Sequence, residues 1–128
     1  RARWSYNWRV QQESGAVLAF GSDAPVEPFE PLKGIYAAVT RRRPDGAPGP
    51  DGWYPEGRLD METALRGFTQ GPAYAASMEH DLGTLAPGFL ADLIVLDRDL
   101  LAIEPDEIRA TQVLGTLIGG VWRHRQFD

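Results

Sequence analysis

The sequence predicts an α/β fold followed by a small β module. Three observations carry this reading. Ala16–Phe20 is an unbroken apolar run set between Gly15 and Gly21, the pattern of a strand buried on both faces. Leu32, Ile35, Tyr36 and Val39 recur at helical spacing, which gives an apolar face able to pack back on that strand. From Gly83 onwards, short β-rich runs alternate with Pro/Gly turns and end in two strands around Gly119-Gly120, the pattern of a tight hairpin. The expected division is therefore an α/β part over 1–82 and a β module over 83–128.

Taken in order, Arg3 to Ser14 reads as an amphipathic helix with Trp4 and Trp8 on one face. Gly15 suits its end. Asp23 to Pro31 is a loop stiffened by Pro25, Pro28 and Pro31, since proline fixes φ. Pro31 also sits well as the first residue of the next helix. Arg43 to Arg58 alternates proline with glycine and should lack regular structure. Within it, Trp53 and Tyr54 either anchor the loop or line a pocket. Asp60 can cap a helix whose apolar face is Met61, Ala64, Leu65 and Phe68. Gly71-Pro72 should break that helix and start another, through Tyr74, Ala75 and Met78. Ala86-Pro87-Gly88 suits a type II turn. Ala91 to Leu96 reads as a strand, and Glu104 to Ile108 as one helical turn with Pro105 at its start.

Composition narrows the function. The chain has 128 residues, enough for one domain. It opens on Arg1 rather than Met, which is consistent with a fragment, a processed product or an internal piece of a longer protein. The net charge of −5 argues against a general nucleic-acid surface. The one basic run, Arg41 to Arg43, reads as a solvated helix end. The absence of cysteine excludes disulfides, thiolate ligands and cysteine nucleophiles. No apolar run approaches membrane-spanning length and no signal peptide is visible, so a cytoplasmic location and no membrane partner are expected.

Asp23 is the leading candidate for chemistry. A carboxylate directly after a buried strand is poorly solvated unless its charge is used. Functional groups also collect at the C-terminal ends of such strands. From spacing alone, a site carboxylate and an Asx-type acceptor within its own turn are equal readings. Ser22 lacks the surroundings of a nucleophilic serine. Glu27 and Glu30 read as solvated rim charges. His80 and His124 have no ligand spacing with Asp23.

GSDAPV (Gly21–Val26), PLKGIYAAVTRR (Pro31–Arg42) and GTLAPGFLADLIVLDRDLL (Gly83–Leu101) together resemble the end of a metal-dependent amidohydrolase of the family 3 group. The resemblance spans Trp4 to Trp122 and implies the C-terminal fragment of a (β/α)8 barrel plus part of a small β-sandwich. Phe89 departs from it, standing where a charged residue is common. The resemblance implies hydrolysis of amide or related C–N bonds in a small-molecule substrate. It matches Asp23 to the aspartate ending the eighth strand, expected to bind or approach a divalent metal, zinc first, and to take a proton from the attacking water. The other ligands of that family lie on earlier strands, so this stretch alone should be inactive. The alternative is a non-catalytic binding or assembly module with Trp4, Trp8, Trp53 and Trp122 in its contact surfaces. Either way, a strand and a β module short of partners should bury their surfaces in a homo-oligomer or repack.

Overall fold

A computed structural model describes all of residues 1–128. The chain is mixed α/β. Its helices are α1 (Trp8–Glu13), α2 (Pro31–Thr40), α3 (Met61–Phe68) and α4 (Gln70–Ala75). Its strands are β1 (Leu93–Leu96), β2 (Val113–Ile118) and β3 (Val121–Arg125), with short 3-10 turns at Ala2–Trp4, Pro55–Gly57 and Pro105–Ala110. No helix is long and apolar enough to cross a membrane.

The first helix is shorter than its apolar spacing suggests. Tyr6 adopts a left-handed backbone, φ 53°, and Asn7 accepts a hydrogen bond from Val10 N, so the helix starts at Trp8. Asparagine at that position satisfies an end N–H that would otherwise lack a partner. Trp4 is thereby cut off in its own turn and stays exposed. Trp8 instead turns inward and packs edge-on against Phe20, with centroids 5.8 Å apart.

Ala16–Phe20 is extended, but it is not a strand buried on both faces. Leu18 and Phe20 face the helices, whereas Val17 is 56% exposed and Ala19 is also exposed. Phe20 N donates to Gly67 O at 2.8 Å, and Ala16 N to Gln11 O at 3.2 Å. The N–H groups of Val17, Leu18 and Ala19 find no acceptor in this chain. The physical reason is plain: a strand needs at least one ladder neighbour and, to be buried on both faces, a covering layer on each, whereas this chain provides helices on one face and no neighbouring strand.

Glycines let the segment sit so close to the helices. A Cβ on Gly71 of α4 would lie 1.9 Å from the Leu18 carbonyl oxygen, and one on Gly67 of α3 would lie 2.4 Å from the Phe20 ring. Phe68 takes the next place, 5.4 Å from Phe20, and its ring lies over Gly34 of α2. Behind these rings the core gathers Ile35, Tyr36 and Ala38 of α2 with Leu59, Ala64, Leu100 and Ile108. The last two come from beyond residue 83. The turn Pro105–Ala110 packs on α2, and its Ile108 is 0% exposed.

Asp60 caps α3, accepting from Thr63 N at 2.7 Å and from the Thr63 hydroxyl at 3.0 Å. The break between α3 and α4 falls at Thr69 (φ −123°, ψ −76°) rather than at Gly71-Pro72. Pro72 is tolerated inside the first turn of α4 because its missing N–H would have had no helical partner there. In the β module, Phe89 N bonds Ala86 O and Gly88 has φ +97°, as a type II turn requires. The three strands form one antiparallel sheet, ordered β1-β2-β3. Gly119 and Gly120 both have positive φ, which suits the two-residue hairpin joining β2 to β3.

The whole chain exposes 8703 Å², more than a quarter above the about 6,800 Å² usual for a folded monomer of this mass.

Two outcomes test this packing. Gly71→Ala should lower stability in urea unfolding by about 2–3 kcal/mol, because the methyl meets backbone; Gly21→Ala, with open space around it, should stay within about 0.5 kcal/mol. Asp60→Ala should cost about 1 kcal/mol near neutral pH. The Thr63 N–H holds the Asp60 carboxyl below the usual carboxylate range. Its contribution is therefore present above the unfolded carboxylate pKa and is lost as pH falls through the lowered folded value, where the two proteins should converge.

Candidate active site

Asp23 stands just past the extended segment, three residues beyond the anchored Phe20. Its backbone is left-handed, φ 53°, a region aspartate enters more readily than most side chains. Its carbonyl oxygen accepts from Val26 N at 2.9 Å, closing a turn over residues 23–26. This is a main-chain bond. The Asp23 carboxylate itself accepts no hydrogen bond from the chain and is exposed. The Asx-type role left open by the sequence is thus not the one it takes.

The turn runs on through Val26, Glu27, Pro28 and Phe29 to α2, whose first residue is Pro31. Glu30 pairs with Lys33 at 2.9 Å, and that hydrogen bond holds the Glu30 carboxyl below its ordinary value. Glu27 is exposed, as a rim charge should be.

No group of three or more His, Asp or Glu side chains is arranged to hold a metal ion. His80 is exposed, away from Asp23 in the sequence, and His124 sits on β3 with Nε2 3.3 Å from Val113 O. Asp23 fits a metal site as one hard oxygen donor, unengaged by other partners. A carboxylate of this kind suits a divalent cation only as part of a larger donor set. A cleft of about 510 Å³ lies elsewhere, along the bare edge of Ala16–Leu18, lined also by Gln12, Arg66, Tyr74 and Glu79.

The far end of α2 is built differently from a solvated basic run. Arg41 has φ 52° and ends the helix. Its guanidinium donates to the carbonyls of Ser5, Tyr6 and Trp53 and lies 5.0 Å from the Trp53 ring. Arg58 likewise donates to the carbonyls of Thr40, Pro50 and Asp51. Arg42 reaches Asp106 at 2.6 Å, over the Tyr36 ring. Trp53 and Tyr54 therefore anchor the Pro/Gly loop. The sequence held a signal for these roles: a proline-rich loop is rich in carbonyls and short of donors, and arginines flank it on both sides.

Comparison with known proteins gives a consistent result. The profile of the Amidohydrolase family matches residues 1–124. YtcJ of Bacillus subtilis (strain 168) is 35% identical over 121 residues, which cover 94% of this chain and 22% of YtcJ. The N-substituted formamide deformylase of Arthrobacter pascens is 32% identical over 118 residues, covering 92% of this chain and 21% of that enzyme. The chain thus spans about a fifth of the length of these relatives. The crystal structure of an amidohydrolase from Thermotoga maritima MSB8 superposes with a TM-score of 0.65 at 22% identity, over 94% of this chain and 26% of that one.

Because nothing in the chain leans on the Asp23 carboxylate, Asp23→Asn should leave the melting temperature unchanged. Asp23→Gly should raise stability slightly, by up to about 1 kcal/mol, since glycine accepts this backbone freely. Thermal melts of the two variants check both.

Proposed function

The chain belongs to the amidohydrolase family, and on that premise we propose that it supplies the proton-handling carboxylate of a hydrolase acting on amide or related C–N bonds of a small molecule. In this reading it is the closing part of a longer polypeptide: the last barrel strand (Ala16–Phe20), the helices that cover it, and part of a small β-sandwich over 83–128. The unpaired N–H groups of Val17, Leu18 and Ala19 support this, since a row of free N–H groups on an extended segment is the edge that a neighbouring strand pairs with. So does the excess exposed surface. Pairing of whole subunits into a homo-oligomer belongs to the same proposal.

One observation carries the assignment of Asp23. Its carboxylate is exposed and unbonded at the end of an anchored segment, on a backbone conformation that costs energy for most residues. The formamide deformylase among the relatives is named for cleavage at an N-substituted formamide, which fits this class of bond.

Asp23 would hold a divalent cation, zinc first, as one donor among several, the rest lying outside this chain. When bound, such an ion polarises the carbonyl under attack and makes water a better nucleophile near neutral pH. The part left to Asp23 is proton transfer. A carboxylate beside the attacking water takes its proton and passes it to the departing nitrogen, which leaves as a neutral amine rather than an amide anion. The short aspartate side chain, carried by a turn fixed through the Asp23 O to Val26 N bond, restricts where that proton can be delivered.

The assembly-module alternative draws less support. Trp8 packs on Phe20, Trp53 on Arg41 and Trp122 on Phe127, which leaves Trp4 as the one mainly exposed tryptophan.

In the full-length enzyme, Asp23→Asn should lower kcat by about 10²–10⁴-fold with the melting temperature of the metal-free protein unaltered. Turnover of an N-substituted formamide, followed by release of the amine, is the measurement. Undiminished turnover by the variant would remove Asp23 from the mechanism.

A further inference from the structure

The cleft along the bare edge of Ala16–Leu18 holds a second group without a partner. One oxygen of Glu79, Oε2, is buried and has no hydrogen bond in this chain, and Glu79 lines the same cleft as Ala16, Val17 and Leu18. We propose that Glu79 accepts a hydrogen bond from a strand that pairs with this edge, and so fixes the register in which that strand arrives. The proposal rests on the reading of this chain as the closing part of a longer polypeptide, to which the strand belongs.

Glu79 is held beside the cleft by its own turn. That turn follows α4: Met78 N donates to Ala73 O at 2.8 Å, and Met78 O accepts from Asp81 N at 3.0 Å and from Leu82 N at 2.9 Å. Gly83 then lies so close to α4 that a Cβ there would stand 2.9 Å from Gln70 Cα. The one arginine lining the cleft, Arg66, is engaged by Glu62 at 2.6 Å. A carboxylate oxygen shut away from water without a donor is costly. Its donor therefore comes from whatever fills the cleft.

The free N–H groups of Val17, Leu18 and Ala19 identify that occupant. Donors spaced along extended backbone are matched by the carbonyls of another extended segment. In the reading above, most of the polypeptide lies outside residues 1–128 and can provide one. The apolar run alone specifies register poorly, because a slip of two residues keeps every side chain on its own face. The buried carboxylate does not tolerate such a slip, since a wrong register leaves it unpaired where the dielectric is low. Its donor is a backbone N–H or the cationic end of a lysine or arginine, all of which a carboxylate accepts.

A crystal structure of the full-length enzyme tests this directly. The N–H groups of Val17, Leu18 and Ala19 should lie in a sheet ladder, with Glu79 Oε2 within about 3.2 Å of a donor on a strand beside them. Glu79 turned instead to Arg66, Gln70 or Thr84, or to water alone, with the ladder intact, would overturn the proposal. Failure of the underlying reading looks different: the three N–H groups would meet no strand, or only a strand of a second copy. Hydrogen exchange followed by mass spectrometry supplies the energetic test. In Glu79→Ala the peptide carrying Val17–Ala19 should exchange about 10–100-fold faster, the factor for losing one hydrogen bond to a charged group. Glu79→Gln keeps a carbonyl acceptor of the same shape and should fall between; it also serves where the alanine variant does not fold. Exchange at the wild-type rate in both variants would equally overturn the proposal.

Discussion

Phe20 resting on Gly67 is the contact through which the extended segment is held to the helices. The ring needs the bare backbone of α3, since a methyl there would overlap it. Trp8 on one side and Phe68 on the other complete a row of aromatic rings reaching from α1 to α2. Such edge and tilted contacts each add about 0.5–1.5 kcal/mol beyond area burial. They act here on a segment that has almost no backbone bonding of its own. The position of Asp23 follows from that anchorage: three residues past a ring packed between Trp8 and Phe68, its carboxylate is delivered by packing rather than by a sheet.

The opposite end of α2 solves another problem. A loop with several prolines offers carbonyls that have no matching N–H groups nearby. Arg41 and Arg58 provide donors from their guanidinium groups, which present several N–H bonds in a fixed plane. Burial pulls the Arg41 guanidinium down from its ordinary value, with Glu56 opposing that shift. Arg42 and Arg109 meanwhile lie over the faces of Tyr36, joining the helical part to the turn that precedes β2. One helix thus carries the candidate site at its start and the fastening of a long loop at its end.

How far could the residues alone be read? Local signals were dependable where the chain closes its own hydrogen bonds. The cap at Asp60, the hairpin at Gly119-Gly120 and the helix beginning at Pro31 all lie where the spacing places them. Asp23 could be picked out because a carboxylate follows an apolar run, although nothing in the spacing could show that its own turn leaves it free. Two misreadings share one cause, which is dependence on something distant. Ala16–Phe20 has the composition of a strand covered on both faces, yet its covering partners are not in this chain. Arg41 and Arg42 look like solvated charges until the loops they grip are brought alongside. The first helix is the local exception: Asn7 caps it at Trp8, so the four-residue spacing of Trp4 and Trp8 does not mark one helical face.

Ile108 ties the sheet to the rest of the molecule. By sequence it belongs with the strands; by contact it belongs with α2 and the core behind it, where no part of it meets solvent. Pulling the sheet away would open a void among these helices, a change that well-packed interiors resist strongly. The two parts should therefore melt as one cooperative unit, and a lesion in the strands would be felt as loosened order around the carboxylate, far from where it was made.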